Sequence, residues 1–145
     1  MPAPQDFALD RALVRRRFAA AAARYDGADV LARELARRMD ERLEYIRIEP
    51  SRILDLGCGP GADLALLAAR YPQAGLLGVD FAQPMLAEAS GRERAARGLL
   101  GRLLGRRNAT PLLCADATAL PLARASVSMV WSNLMLNWLH DPLPA

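Results

Sequence analysis

Apolar residues in the first third of the chain recur at helical spacing, whereas later they gather into short runs that end on a carboxylate. Asp6 to Ala23 reads as a helix with Leu9, Leu13 and Phe18 inward and Arg11, Arg15, Arg16 and Arg17 outward. Tyr25-Asp26-Gly27 interrupts it, the glycine acting as a stop. A second helix is expected from Asp29 to Ile46, where Leu31, Leu35, Met39 and Leu43 recur every four residues as an apolar stripe. After the turn at Glu49-Pro50-Ser51, Arg52 to Leu56 reads as a buried parallel strand. Leu76 to Asp80 and Thr110 to Asp116 repeat the pattern, and Val127 to Asn133 makes a fourth strand. Helices at Ala62 to Arg70 and from near Met85, with Pro84 in the first turn, separate these runs. Leu134 to Leu139 starts another helix before Pro142.

Strands and helices alternating with short polar punctuation predict an α/β fold, a doubly wound parallel sheet of Rossmann-like type. Two helical N-terminal elements over 1–48 would pack on the ligand side of an α/β unit over 49–145. In such sheets ligands lie outside the C-terminal strand ends. Here three successive strand ends carry Asp55, Asp80 and Asp116. Gly57, Gly59 and Gly61 follow the first of them and precede a helix, so a backbone without β-carbons can pass close to a ligand.

The spacing of these residues narrows the ligand. Asp80 lies about twenty residues past the glycines, where an acid accepts hydrogen bonds from ribose hydroxyls. The plainer alternative for Asp80 is a helix cap. Asp116 opens a turn in which its carboxylate can accept from an exocyclic amine while the Ala117 N–H donates to a ring nitrogen. The alternative there is an Asx turn. A dinucleotide site wants G-x-G-x-x-G, and a phosphate loop wants a lysine followed by serine or threonine. This chain has G-x-G-x-G after Leu-Asp, which favours an adenosine ligand without pyrophosphate.

Composition adds bounds rather than direction. The 145 residues suffice for one domain with a real core. The formal net charge of +3 gives no sign of a nucleic-acid partner, and every basic side chain is arginine. On the first helices the arginines interleave with acids and read as a solvated face. No apolar run approaches a membrane span and no secretory signal opens the chain, so the expected setting is cytoplasmic. Cys58 and Cys114 fall in different elements without metal-ligand spacing and read as reduced thiols. His140, the single histidine, has no neighbouring ligands, so no metal is expected. Trp131 and Trp138 read as core or pocket wall. The segment from Ser90 to Asn108 carries Arg92, Arg94, Arg97, Arg102, Arg106 and Arg107 against one acid, Glu93. It reads as a solvated helical extension, with docking of an acidic partner as the sharper alternative.

At Ile53 to Gly61, Gly78-Val79-Asp80 and Cys114-Ala115-Asp116-Ala117, the chain resembles the class I S-adenosylmethionine-dependent methyltransferases. More narrowly, Phe18, Ala22, Tyr25-Asp26 and Trp131 to Trp138 are similar to the malonyl-acyl-carrier-protein O-methyltransferases of biotin synthesis. The resemblance implies S-adenosylmethionine as cofactor. It implies that Asp55, Gly57, Gly59 and Gly61 approach its methionine and ribose, that Asp80 holds the ribose, and that Asp116 with Ala117 reads the adenine. It also implies that Asn133 faces the methionine portion and Tyr25 closes over it. No catalytic base is implied. The acceptor would be the carboxylate of a malonyl group on acyl carrier protein. The same resemblance leaves open a cofactor-binding fragment without activity, a quinone-type methyltransferase, or an arginine hydroxylase of complex I assembly. Where the family commonly has Gln, this chain has Ala32 and Asn137. Only the first four strands of the family's sheet are supplied. The apolar fourth strand would then be an open edge, covered by further chain or paired with a second copy in a homodimer.

Overall fold

The computed structural model describes residues 9–103 and 109–142. The expected start of the first helix at Asp6 lies outside the described residues, as do Arg106, Arg107 and the side chains of Arg97 and Arg102. Helix α1 (Arg11–Ala21) is capped by Asp10, whose side chain accepts from the Leu13 N–H at 3.0 Å. It tightens into a 3₁₀ turn at Ala22–Gly27, and α2 (Val30–Leu43) follows. Strand β1 (Arg52–Leu56), α3 (Ala62–Arg70), β2 (Gly75–Asp80), α4 (Gln83–Leu103), β3 (Leu112–Cys114) and β4 (Met129–Trp131) complete the order. Helix α4 is broken at Gly98, whose φ of 46° is not helical.

The four strands are parallel in the order β3-β2-β1-β4, with Leu54 opposite both Leu77 and Val130. Alternation along β1 builds two cores. Ile53 packs with Ala36, Leu67, Ala74 and Trp131 under α2 and α3. Leu54 and Leu56 pack with Val79 against Leu113, Leu120, Leu122, Val127 and Met135. Strand β4 lies at the edge of this sheet, and its Val130 is 56% exposed.

Several expected details differ. Leu31 is 63% exposed, because α2 buries Ala36 and packs Met39 and Leu43, a column displaced from Leu31. Leu13 is 42% exposed, because α1 turns Val14 inward beside the expected Phe18. Strands β3 and β4 are shorter than their apolar runs. The stretch Leu134 to Leu139 forms only a 3₁₀ turn at Leu136–Trp138.

Leu67 is fully buried where α3 meets the sheet. Leu67→Ala should cost about 2–5 kcal/mol, since a cavity there has rigid walls on every side. Denaturant unfolding with an unchanged m-value checks this.

Candidate functional site

The turn from β1 into α3 is tied to the end of β2 by main-chain bonds. The Val79 carbonyl accepts from the Gly57 and Cys58 N–H groups at 2.8 and 2.9 Å. Gly57 has φ of 79°, and a β-carbon there would stand 2.4 Å from Met135 Cγ. Gly59 has φ of 50° with no atom within 4 Å of its would-be β-carbon, so a bare stretch of backbone faces open space. One Asp80 oxygen accepts from the Gly59 N–H at 3.0 Å, and the other from the Ala82 N–H at 2.8 Å. The second bond is an Asx-type turn just ahead of α4, so the buried Asp80 is not the exposed helix cap that the sequence offered as the plainer alternative. Burial raises the Asp80 pKa, and these backbone bonds hold back the rise.

Beside this turn opens a cavity on the C-terminal side of the sheet. Tyr25, Gly57, Gly59, Asp80, Asp116, Ala117 and Asn133 line it. Asp55 and Gly61 do not. Asp55 is 1% exposed on the α3 side of the sheet, and Gly61 lies where its β-carbon would meet Ala89 of α4 at 3.0 Å. Asp116 accepts from the Thr118 N–H and hydroxyl at 2.9 and 2.7 Å, making the expected Asx turn, and pairs with Arg11 of α1. Tyr25 sits beneath an aromatic cluster in which Phe18 meets Tyr25, Phe81 and, edge to face at 5.1 Å, Trp138. Partial burial raises the Tyr25 pKa, with Asp29, Asp80 and Asp63 adding to it.

Sequence reasoning missed Asp63. Its Oδ2 accepts from Trp131 Nε1 at 2.7 Å and from Asn133 Nδ2 at 3.1 Å. The Asn133 amide also donates to the Ala32 carbonyl at 2.9 Å, a contact any residue at position 32 would supply. With its donors engaged, Asn133 Oδ1 is buried without a partner. The rim residues Arg11, Val14, Leu134 and Met135 were also missed. Leu134 carries φ of 57°, a strained conformation at the end of β4 that turns the chain back over Gly57.

Residues 53–145 match the family described as a methyltransferase domain. The chain belongs to that family. It is 48% identical over 136 residues to the malonyl-[acyl-carrier protein] O-methyltransferase of Laribacter hongkongensis (strain HLHK9), covering 94% of this chain and 45% of that protein. Among solved structures it is similar to the Haloferax volcanii complex of the Trm112 methyltransferase activator with a methyltransferase, at 26% identity and a TM-score of 0.65. That match covers 86% of this chain and 50% of the other. It is also similar to an S-adenosylmethionine-bound amino pentose methyltransferase from Micromonospora echinaspora, at 27% identity and a TM-score of 0.54, covering 81% and 43%. The chain spans about half the length of the curated relatives it matches.

The electrostatics of the methyltransferase fold here are one-sided. Asp55, Asp63 and Asp80 have no arginine partner among the described residues, and Asp55 Oδ2 is buried without a hydrogen bond. Burial first, then Asp63 and Asp80, raises the Asp55 pKa well above its ordinary value. Burial likewise pushes the Cys58 thiol up, with Asp55 and Asp80 adding to it. The folded state therefore keeps on Asp55 a proton that the unfolded chain releases, so this group costs stability as pH rises above the ordinary carboxylate range. Without ligand, Asp55→Asn should gain stability over the parent as pH climbs from about 4 to about 8. Thermal unfolding across that range checks the sign.

Proposed function

We propose that the cavity holds S-adenosylmethionine and that the protein methylates the free carboxylate of a malonyl group on acyl carrier protein, a step of biotin synthesis. The observation that carries the cofactor is the set of unpaired acids beside a bare glycine turn. On the cavity wall the buried Asn133 Oδ1 lacks a donor, as it would beside a ligand with a cationic end. Asp80 would accept from the ribose hydroxyls, Asp116 and the Ala117 N–H would read the adenine, and Gly57 and Gly59 would admit the methionine chain. Tyr25 and the aromatic cluster would exclude water. Asn133 would face the ammonium end, and Asp55 and Gly61 would act from behind the wall. Bound there, the sulfonium supplies an activated methyl group, transferred to a carboxylate oxygen as the methyl–sulfur bond breaks and its electron pair stays on sulfur. The acceptor is already a nucleophile, so the protein's task is alignment and dehydration, and no base is assigned.

Support for the acceptor comes from the relatives' shared name. Division into a helical segment over 1–48 that roofs the cofactor and a binding unit over 49–145 belongs to the same proposal, as does a cytoplasmic setting. Both cysteines are free, and no helix among the described residues is long and apolar enough to cross a membrane. The second reading is a cofactor-binding unit without activity of its own.

Calorimetry with S-adenosylmethionine followed by a methyl-transfer assay on malonyl carrier protein separates the two. Asp80→Ala should raise the cofactor Kd at least about tenfold, the loss of one charge-assisted acceptor. An unchanged Kd would remove Asp80 from the site. Strand β4, apolar and at the sheet edge, should also drive self-association of the 145-residue chain. Sedimentation that shows a concentration-independent monomer would exclude a homodimer through that edge.

A further inference from the structure

Helix α1 carries the sequence RALVRRRFAAA, with no acid in it. Its inner face is spoken for, since Val14 and Phe18 line the cavity and Arg11 reaches Asp116. The outer face holds Leu13, 42% exposed, with Arg16 and Arg17 three and four residues on, while Arg15 lies on the flank next to Arg11. Arg15, Arg16, Arg17 and, in the following turn, Arg24 are all exposed. None has an acidic partner among the described residues.

Helix α2 shows the contrast. There Arg33 pairs with Asp29, and Arg37 and Arg38 pair with Glu34, whose carboxyl they hold down at about 2. The arginines of both helices face solvent as expected, but only those of α2 are interleaved with acids. An uncompensated cluster of guanidinium groups around one apolar side chain is the layout of a small recognition patch, with an apolar centre, a charged rim and forked donors suited to carboxylates.

We propose that this outer face of α1 docks the acidic surface of the carrier protein that delivers the acceptor, a deepening that rests on the function proposed above. The same helix forms one wall of the cavity, so a carrier seated on it stands beside the mouth. Leu134 and Trp138 on the rim are each 41% exposed and offer the acyl arm an apolar path inward. Opposite charge would speed encounter and set orientation more than it would add affinity. Two other polyanions fit less well. A single leucine on the outer face gives too little apolar area to seat the helix in a membrane surface. The face also lacks the aromatic side chains on which single-stranded nucleic acid stacks.

The test is the triple variant Arg15→Glu/Arg16→Glu/Arg17→Glu in the full-length protein, with Arg15→Gln/Arg16→Gln/Arg17→Gln as a milder form and Arg42→Glu on α2 as control. At low salt the KM for malonyl carrier protein should rise at least about tenfold in the Glu variant. The cofactor Kd and kcat/KM for a carrier-free malonyl thioester should stay within about twofold, which also certifies folding. Added salt should narrow the gap between parent and variant. Fluorescence anisotropy of labelled carrier protein reads docking without catalysis. If the parent methylates neither acceptor, the functional reading fails while anisotropy still decides the docking face. Carrier affinity equal in parent and Glu variant overturns the proposal, and a drop confined to RNA or anionic vesicles overturns it in favour of those partners.

Discussion

The carboxylate of Asp80 joins the two loops on which the cavity stands. One oxygen holds the glycine turn through Gly59 and the other holds the start of α4 through Ala82, both by main-chain donors. The preceding residue repeats the device, since one Val79 carbonyl accepts from both Gly57 and Cys58. Three donors of the β1–α3 turn are therefore fixed by the last two residues of β2. The geometry needs an ionised acid that is nevertheless mostly buried. Burial pushes Asp80 toward neutrality, and its backbone bonds push back. Bonds to a charged acceptor contribute roughly 1.5–3 kcal/mol each, which limits the rise without cancelling it. A ligand hydroxyl approaching Asp80 thus meets an acceptor already aimed.

What closes the space above that turn is aromatic rather than ionic. Phe18 of α1, Tyr25 of the 3₁₀ turn, Phe81 after β2 and Trp138 after β4 come from four separate places in the chain and meet around one ring. The Arg11–Asp116 and Arg92–Asp26 pairs that brace the same segment are exposed, and exposed pairs contribute little. The N-terminal helix is therefore held mainly by its apolar inner face, which leaves its arginines free for another use.

The strands and the strand-end acids were legible because each is a local signal: an apolar run, a carboxylate at its end, then glycine or proline. Parallel order followed from the intervening helices. The faces of α1 and α2 were less legible. Phe18, Met39 and Leu43 do face inward as expected, but Leu13 and Leu31 do not, their places being taken by Val14 and Ala36. Asp63 was invisible for a different reason. It reads as an ordinary first-turn acid on α3, and its meaning comes from Trp131 and Asn133, some seventy residues away. The Asp55 expectation shows the converse, for a strand-end acid can point beneath the sheet, as the alternation of β1 dictates once Ile53 is buried on that face.

The near-neutral composition conceals a separation of charge. The formal +3 averages an acidic interior with a basic exterior. Asp55, Asp63 and Asp80 crowd behind and along the cavity with no basic partner among the described residues, while the arginines of α1 face solvent without acids. A buried acid left unpaired is expensive, and so is a cluster of like charges on one helix. The pair of costs is coherent if the two ligands are of opposite sign, a cation drawn to the inside and an anionic macromolecule to the outside. Each would relieve the repulsion that its own side carries. Under that logic the wall between them, α1 with Phe18 at its centre, is the element through which the two binding events would feel each other.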